Sequence, residues 1–481
     1  MKRLALHSWL YLLARGGSAG FSFAALFIFT RLLPPRDYGY YAVYIAIVAT
    51  LSTMLFGWLK LSALRFWPDE KYRSVLIDAI SFSFKALSLV YLCLAGVVIV
   101  IIPNTVSAGG LPFTRQWVVL VAISTIALAI YDLYYETLRA SLNPFAVLMM
   151  VVTRGMLYLL VGISAALTGF AAYAPAIGIV IGTMIAIVVA RRYADFQFVF
   201  THPGGLTPTA RWLLLKEIIP YGLPLSVSLF GAALVIYTDR LMIAYFKGSA
   251  EAGIYAASFE LVNGVINLPL SALALASFPL MVRALSQKSS RELSSLLAKN
   301  LSALMLVGVP VAATVMLYRD VVATLLGAEY TRTAVTILPT IAIAIYLNTI
   351  RMYHYDRAFH FSKRTCYLAV IMIITSIVNL ILNYLLIPQI GLLGAVYSSI
   401  AAYALALVMS ITVGMKIFPL VGFPFSAVLA TMLTLGAYAV TVNILRSYPC
   451  SRVAQAAIQN VIYIILYLAY RRLMRLRKEL D

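Results

Sequence analysis

PYGLPLSVSLFGAALVIYTDRLMIAYFKGSAEAGIYAASFEL, residues 220–261, decides how this chain is read. Pro220, Gly222 and Pro224 break its start, because proline removes a backbone donor and kinks a helix. An apolar helix follows, with an acid–base doublet, Asp239-Arg240, near its far end. After a short loop, a second apolar helix opens on Gly253-Ile254-Tyr255-Ala256. The first half of the chain echoes this: Arg31-Leu32-Leu33, a short loop, then Gly39-Tyr40-Tyr41-Ala42. A pattern stated twice in apolar helices predicts a two-lobed membrane protein.

Composition agrees. Of 481 residues, 63% are hydrophobic and 11% charged, and the mean hydropathy is +0.94. A soluble domain is about half apolar and about a quarter charged. We read an all-α polytopic membrane protein of about fourteen spans: 8–32, 40–64, 77–102, 117–138, 144–167, 171–192, 218–246, 254–278, 299–322, 334–356, 365–388, 392–414, 422–445 and 453–470. Each is long enough to cross a hydrocarbon core of about 30 Å. Met1-Lys2-Arg3 ahead of an apolar run imitates a signal peptide. Arg15 interrupts that run, which continues to Leu33, so an uncleaved first helix is expected. Cys93 and Cys366 lie in apolar runs and Cys450 in a short loop, so neither a disulfide nor a metal site is expected.

Basic residues set the orientation. With the N-terminus in the cytoplasm, 25 of the 37 Lys and Arg fall in inside segments and 9 outside. Both termini are therefore expected in the cytoplasm of a multi-pass plasma-membrane protein. The net charge of +20 then faces the anionic inner leaflet, and no nucleic-acid partner is required.

The repeat extends beyond the two glycine motifs. Arg65 and Pro68 end the second span as Pro279 and Arg283 end the eighth. Arg139-Ala140 follows the fourth span as Arg357-Ala358 follows the tenth. The offset is about 215 residues, or six spans, and an even number keeps both copies in one orientation. Two six-helix bundles are expected, at 1–192 and 218–414. A turn-rich cytoplasmic linker at 193–217 joins them, and two extra helices with a basic cytoplasmic tail occupy 415–481.

The order and spacing of several motifs carry a resemblance. They are Tyr221-Gly222-Leu223-Pro224, Asp239-Arg240-Leu241-Met242, Gly253-Ile254-Tyr255-Ala256, Leu326-Gly327-Ala328-Glu329-Tyr330 and the run from Asn379 to Pro388, followed by Gly391 and Gly394-Ala395. The chain resembles the polysaccharide-transporter branch of the multidrug/oligosaccharidyl-lipid/polysaccharide exporter superfamily, which includes O-antigen and exopolysaccharide flippases. The resemblance implies flipping of an undecaprenyl-pyrophosphate-linked oligosaccharide across the plasma membrane by alternating access, for surface polysaccharides such as lipopolysaccharide. It implies as partners the lipid-linked glycan, membrane lipids and other polysaccharide-assembly proteins. It implies no cofactor beyond a coupling Na⁺ or H⁺.

Ionisable groups within spans are costly and mark function or pairing. Arg15, Lys85 and Arg154 stand against Asp78, Asp132 and Glu136. One reading lines a cavity with the three bases to attract a pyrophosphate or acidic sugar; the other makes three interhelical ion pairs. The cavity is preferred for Arg15. For Lys85 both readings stay open, with Asp78 two turns away. Asp132, Glu136, Arg139 and Asn143 share one face of the fourth span. Arg139 joins the substrate-binding candidates, and Asp132 and Glu136 are ion-coupling candidates. A Glu136–Arg139 pair is the alternative for Glu136. Asp239, Asn379 and Asn383 offer hard oxygens suited to Na⁺, and related flippases are thought to bind Na⁺ there with an Asp at one of the two Asn positions. Packing between helices is the preferred reading of the three.

Enzyme signatures are weak. Gly16-Gly17-Ser18-Ala19-Gly20 fits G-x-S-x-G but lies within a span with no preceding strand, so helix packing through small residues is preferred. No P-loop occurs. The chain is read as a transporter and not an enzyme. The alternatives are a cation-coupled drug antiporter of the same superfamily, a membrane glycan polymerase or ligase, and a scaffold that recruits such enzymes. Short outside loops weigh against the polymerase.

Overall fold

The computed structural model describes residues 2–101, 106–108, 111–194, 196, 198, 207–287, 289–418, 420, 425–445 and 451–480. Most of the predicted linker turn, including His202-Pro203-Gly204-Gly205, lies outside the described residues, as do Lys288, Arg446 and Cys450.

The helices follow in order: α1 (Lys2–Leu32), α2 (Pro35–Phe66), α3 (Glu70–Ile101), α4 (Arg115–Ala140), α5 (Pro144–Leu167), α6 (Ala174–Tyr193), α7 (Pro208–Lys247), α8 (Ser249–Ser286), α9 (Ser290–Leu317), α10 (Arg319–Ala323) and α11 (Ala328–Ile350). A π-helical turn (Arg351–Tyr355) comes next, then α12 (Arg357–Phe361), α13 (Cys366–Ile390), α14 (Leu392–Ile417), α15 (Phe425–Leu445) and α16 (Arg452–Leu480). A small hairpin in the 103–116 connection pairs β1 (Val106–Ala108) antiparallel with β2 (Leu111–Phe113). Among the described residues, 13 helical segments are long and apolar enough to cross a membrane, and Met432–Thr441 in α15 is a shorter apolar stretch. Helices suit lipid because each satisfies its own backbone polar groups. The chain is an all-α polytopic membrane protein, as its composition predicts.

Residues 220–261 depart from expectation in two places. α7 begins at Pro208 and runs without interruption through Pro220 and Pro224. The expected broken start is therefore a continuous helix, held against α2 where Ser226 Oγ donates to the Thr53 carbonyl at 3.1 Å. Packing of this kind is what lets membrane helices tolerate proline. The expected loop before Gly253 is the single residue Gly248, with φ of +93°, a backbone that a side chain would strain. The Gly253-Ile254-Tyr255-Ala256 motif lies inside α8 and does not open it.

The chain packs as two compact units. The first comprises Met1–Ala257 and Thr365–Ser398; the second comprises Ser258–Arg364 and Ser399–Asp481. In the first unit α2 lies along α4 and α7, α5 lies along α1 and α6, and α13 lies along α7. Its core includes Phe56, Leu59, Trp67, Tyr134, Met150 and Phe198. In the second unit α9 packs on α11, α15 and α16.

The packing role expected for Gly16 and Gly20 is not met. A β-carbon at either would find no atom within 4 Å. The close glycine contacts are elsewhere, at Gly39, Gly253 and Gly222, where a β-carbon would collide with backbone or side chain.

Candidate functional site

The site builds from α4 and the elements that fix it. Thr114 Oγ1 accepts from the Trp117 N–H at 3.2 Å and caps its start. At its end, Asn143 Oδ1 accepts from the Ala146 N–H at 3.1 Å, starting α5, and Asn143 Nδ2 donates to the Tyr193 carbonyl at 3.2 Å, tying in α6. Asn143, expected on the polar face of α4, is thus the cap of α5.

Tyr131, Tyr135 and Arg139 follow at intervals of four, so they share a face. The Tyr131 and Tyr135 rings stack with centroids 6.1 Å apart and planes 16° apart. Arg154, from α5, stands over Tyr131 at 4.5 Å. Arg139 stands over Tyr135 at 5.7 Å. Arg15 lies exposed on α1. The structure therefore brings Arg139 and Arg154 to one cation–aromatic ladder.

A cavity of about 280 Å³ opens in the first unit and shares Arg154 with this ladder. Arg154, Tyr41, Tyr44, Ser124, Thr183 and Tyr237 supply its polar lining, aliphatic side chains complete the wall, and no lining residue is acidic. The Tyr44 hydroxyl bonds Ser124 Oγ, and the Tyr41 and Tyr158 hydroxyls meet at 2.8 Å. Among the described residues no ion pair joins Arg154 to a carboxylate.

The carboxylates have partners. Lys60 Nζ, from α2, lies 2.5 Å from Asp132 Oδ2. Arg139 lies 2.8 Å from Glu136, which is the pairing reading of Glu136. Asp78, weighed as a partner for Lys85, is bonded instead by Arg211 Nε of α7 at 2.9 Å. Lys85 is half-buried on α3.

Asp239, Asn379 and Asn383 come together fully buried between α7 and α13. Asp239 Oδ2 accepts from the Tyr255 hydroxyl at 2.5 Å, and Oδ1 accepts from Asn383 Nδ2 at 2.6 Å. Asn383 Nδ2 also reaches Asn379 Oδ1 at 3.1 Å. An amide donor, not an oxygen, therefore faces the carboxylate, and both carboxylate oxygens are engaged. Asn383 Oδ1 and Asn379 Nδ2 are buried in this cluster with no hydrogen-bond partner among the described residues. Arg240 is buried next to the cluster in sequence, with its guanidinium 5.2 Å from the Tyr237 ring.

Sequence reading did not single out Tyr131, and it gave Lys60, Tyr135 and Tyr255 no role at the site. The i, i+4 spacing of Tyr131, Tyr135 and Arg139 was the available signal. It also missed a buried polar network in the second unit. There Arg351 and Asp356 pair at 2.9 Å across the π-helical turn, and Ser410 Oγ donates to Asp356 at 2.7 Å. Arg357 caps the Ala274 carbonyl at 3.0 Å.

The fold is that of solved transporters. The structure of a lipid II flippase, MurJ, in an inward closed conformation aligns with a TM-score of 0.76 at 15% identity, covering 97% of this chain and 99% of that one. An inward-facing multidrug resistance MATE family transporter of the MOP superfamily aligns with a TM-score of 0.62 at 14% identity, over 85% of this chain and 94% of that one. The outward-facing conformation of a MATE family transporter gives 0.57 at 15% identity, over 85% and 94%. Among curated proteins none matches. The model of a family described as polysaccharide biosynthesis protein matches residues 28–335. Carrying that match over more than half its length, on the fold of the MOP-superfamily flippases and transporters, the chain belongs to the polysaccharide biosynthesis protein family.

Proposed function

We propose that this protein flips an undecaprenyl-pyrophosphate-linked oligosaccharide across the plasma membrane by alternating access, for surface polysaccharide assembly. The observation that carries the reading is Arg154. It is a guanidinium within a membrane span, lining a cavity that has hydroxyls and no carboxylate. That guanidinium is half-buried, stands over Tyr131 and has no carboxylate partner among the described residues, and such a basic cavity draws an anionic substrate. The same feature weighs against a drug-cation antiporter, which needs acidic walls. Both termini are cytoplasmic in this reading, following the basic-residue bias. Asp239, Asn379 and Asn383, with Tyr255, join α7, α8 and α13 through hydrogen bonds, and the reading assigns them to packing and routes no step through Na⁺. Asp132, paired with Lys60, is the proton-coupling candidate.

Reconstitution tests the proposal. Vesicles containing the purified protein and a fluorescent undecaprenyl-pyrophosphate oligosaccharide should lose outer-leaflet signal faster than protein-free vesicles. Equal rates would remove flipping as the function.

A further inference from the structure

The substrate of the cavity can be narrowed further; this inference rests on the transport reading above. Three observations bear on it. Arg154 is the one cationic side chain in the lining, and among the described residues no carboxylate pairs with it. The volume of about 280 Å³ sits at the lower edge of ordinary ligand pockets, which run from about 300 Å³ upward. The rest of the polar lining is hydroxyl: Tyr41, Tyr44, Ser124, Thr183 and Tyr237.

A pyrophosphate suits this site poorly. It carries multiple charges and is ordinarily met by several basic groups or a metal, whereas one guanidinium supplies a single charge. A carboxylate matches the guanidinium in charge and in its planar, two-pronged geometry. A small cavity with five hydroxyl-bearing side chains set among aliphatic ones suits one sugar ring at a time.

We infer that the Arg154 cavity is a recognition subsite for a carboxylate-bearing sugar, a hexuronate-type residue within the transported glycan. Arg154 holds the carboxylate in two hydrogen bonds while the hydroxyls of the wall take the ring hydroxyls.

The test uses the full-length protein in nanodiscs with three probes: D-glucuronate, its methyl ester and inorganic pyrophosphate. Glucuronate should bind at least about tenfold more tightly than the ester, the scale of a charge-assisted hydrogen-bond pair. Pyrophosphate should not displace it. Arg154→Lys keeps the charge but not the fork and should lose most of the discrimination; Arg154→Gln should lose all of it. A melting temperature close to wild type in each variant shows that the fold is intact. Equal affinity for glucuronate and ester would overturn the inference, as would displacement by pyrophosphate or wild-type discrimination in both variants. These results concern the subsite alone: lipid-linked glycan transport by the same preparation, measured separately, shows whether the transport reading stands.

Discussion

Gly39 and Gly253, the glycines of the two Gly-x-Tyr-Ala motifs, pack against each other. A β-carbon on Gly39 would collide with the Ser249 carbonyl, and one on Gly253 with the Pro35 carbonyl. The Gly39 nitrogen would lie only 2.8 Å from that added Gly253 carbon. The two matched motifs thus bring the backbones of α2 and α8 into contact.

This contact has a sign that distinguishes it from ordinary helix propensity. Gly→Ala in a helix normally stabilises by about 0.5–1 kcal/mol. At Gly253 it should destabilise by about 1–3 kcal/mol, because overpacking forces the backbones apart. Thermal unfolding in detergent should show Gly253→Ala melting below wild type. Gly20→Ala, with open space around it, should melt at or above wild type.

Arg211 and Asp78 tie the start of α7 to α3 at 2.9 Å, with both side chains largely buried (14% and 9% exposed). Removing one partner strands the other. Arg211→Ala should cost about 3–5 kcal/mol, and replacing both by apolar residues should cost less than that single change. A double-mutant cycle on thermal stability measures it.

Asn383 places an amide where a second carboxylate would repel Asp239. Transport by the wild type should therefore be the same in Na⁺ and in K⁺ buffers. Asn383→Asp sets two carboxylates side by side, an arrangement that a cation relieves. That variant should gain Na⁺-dependent activity or Na⁺-dependent thermal stability. Flipping assays and melting curves in the two salts would show it, and a Na⁺ requirement in the wild type would refute the assignment of this cluster to packing.

Topology is open to labelling. A cysteine in place of Leu480, at the end of α16, should react with an impermeant maleimide only after the membrane is permeabilised. Reaction in intact cells would reverse the orientation argued from the basic residues.

Much of the fold was legible because lipid leaves the chain few options. An apolar run of about twenty residues must be a helix, and the spans were readable on that ground. That Gly39 and Gly253 touch was not legible. What stayed hidden depended on partners far apart in sequence. Lys60 reads as a loop charge near the end of a span, yet it reaches Asp132, 72 residues on. Asp78 invites a local partner in Lys85 and takes Arg211, 133 residues away. Pro220 and Pro224 signal a break, but packing against α2 keeps α7 whole. Arg154 was legible as a costly span residue; the ring of Tyr131 beneath it was not, since nothing in sequence sets α5 against that turn of α4.

The most direct test of the central claim is the leaflet distribution of the lipid-linked oligosaccharide in cells lacking this protein. Flipping predicts accumulation on the cytoplasmic leaflet, reversed by the wild-type chain and reversed poorly by Arg154→Gln. An even distribution across the two leaflets in the deletion strain would contradict the account.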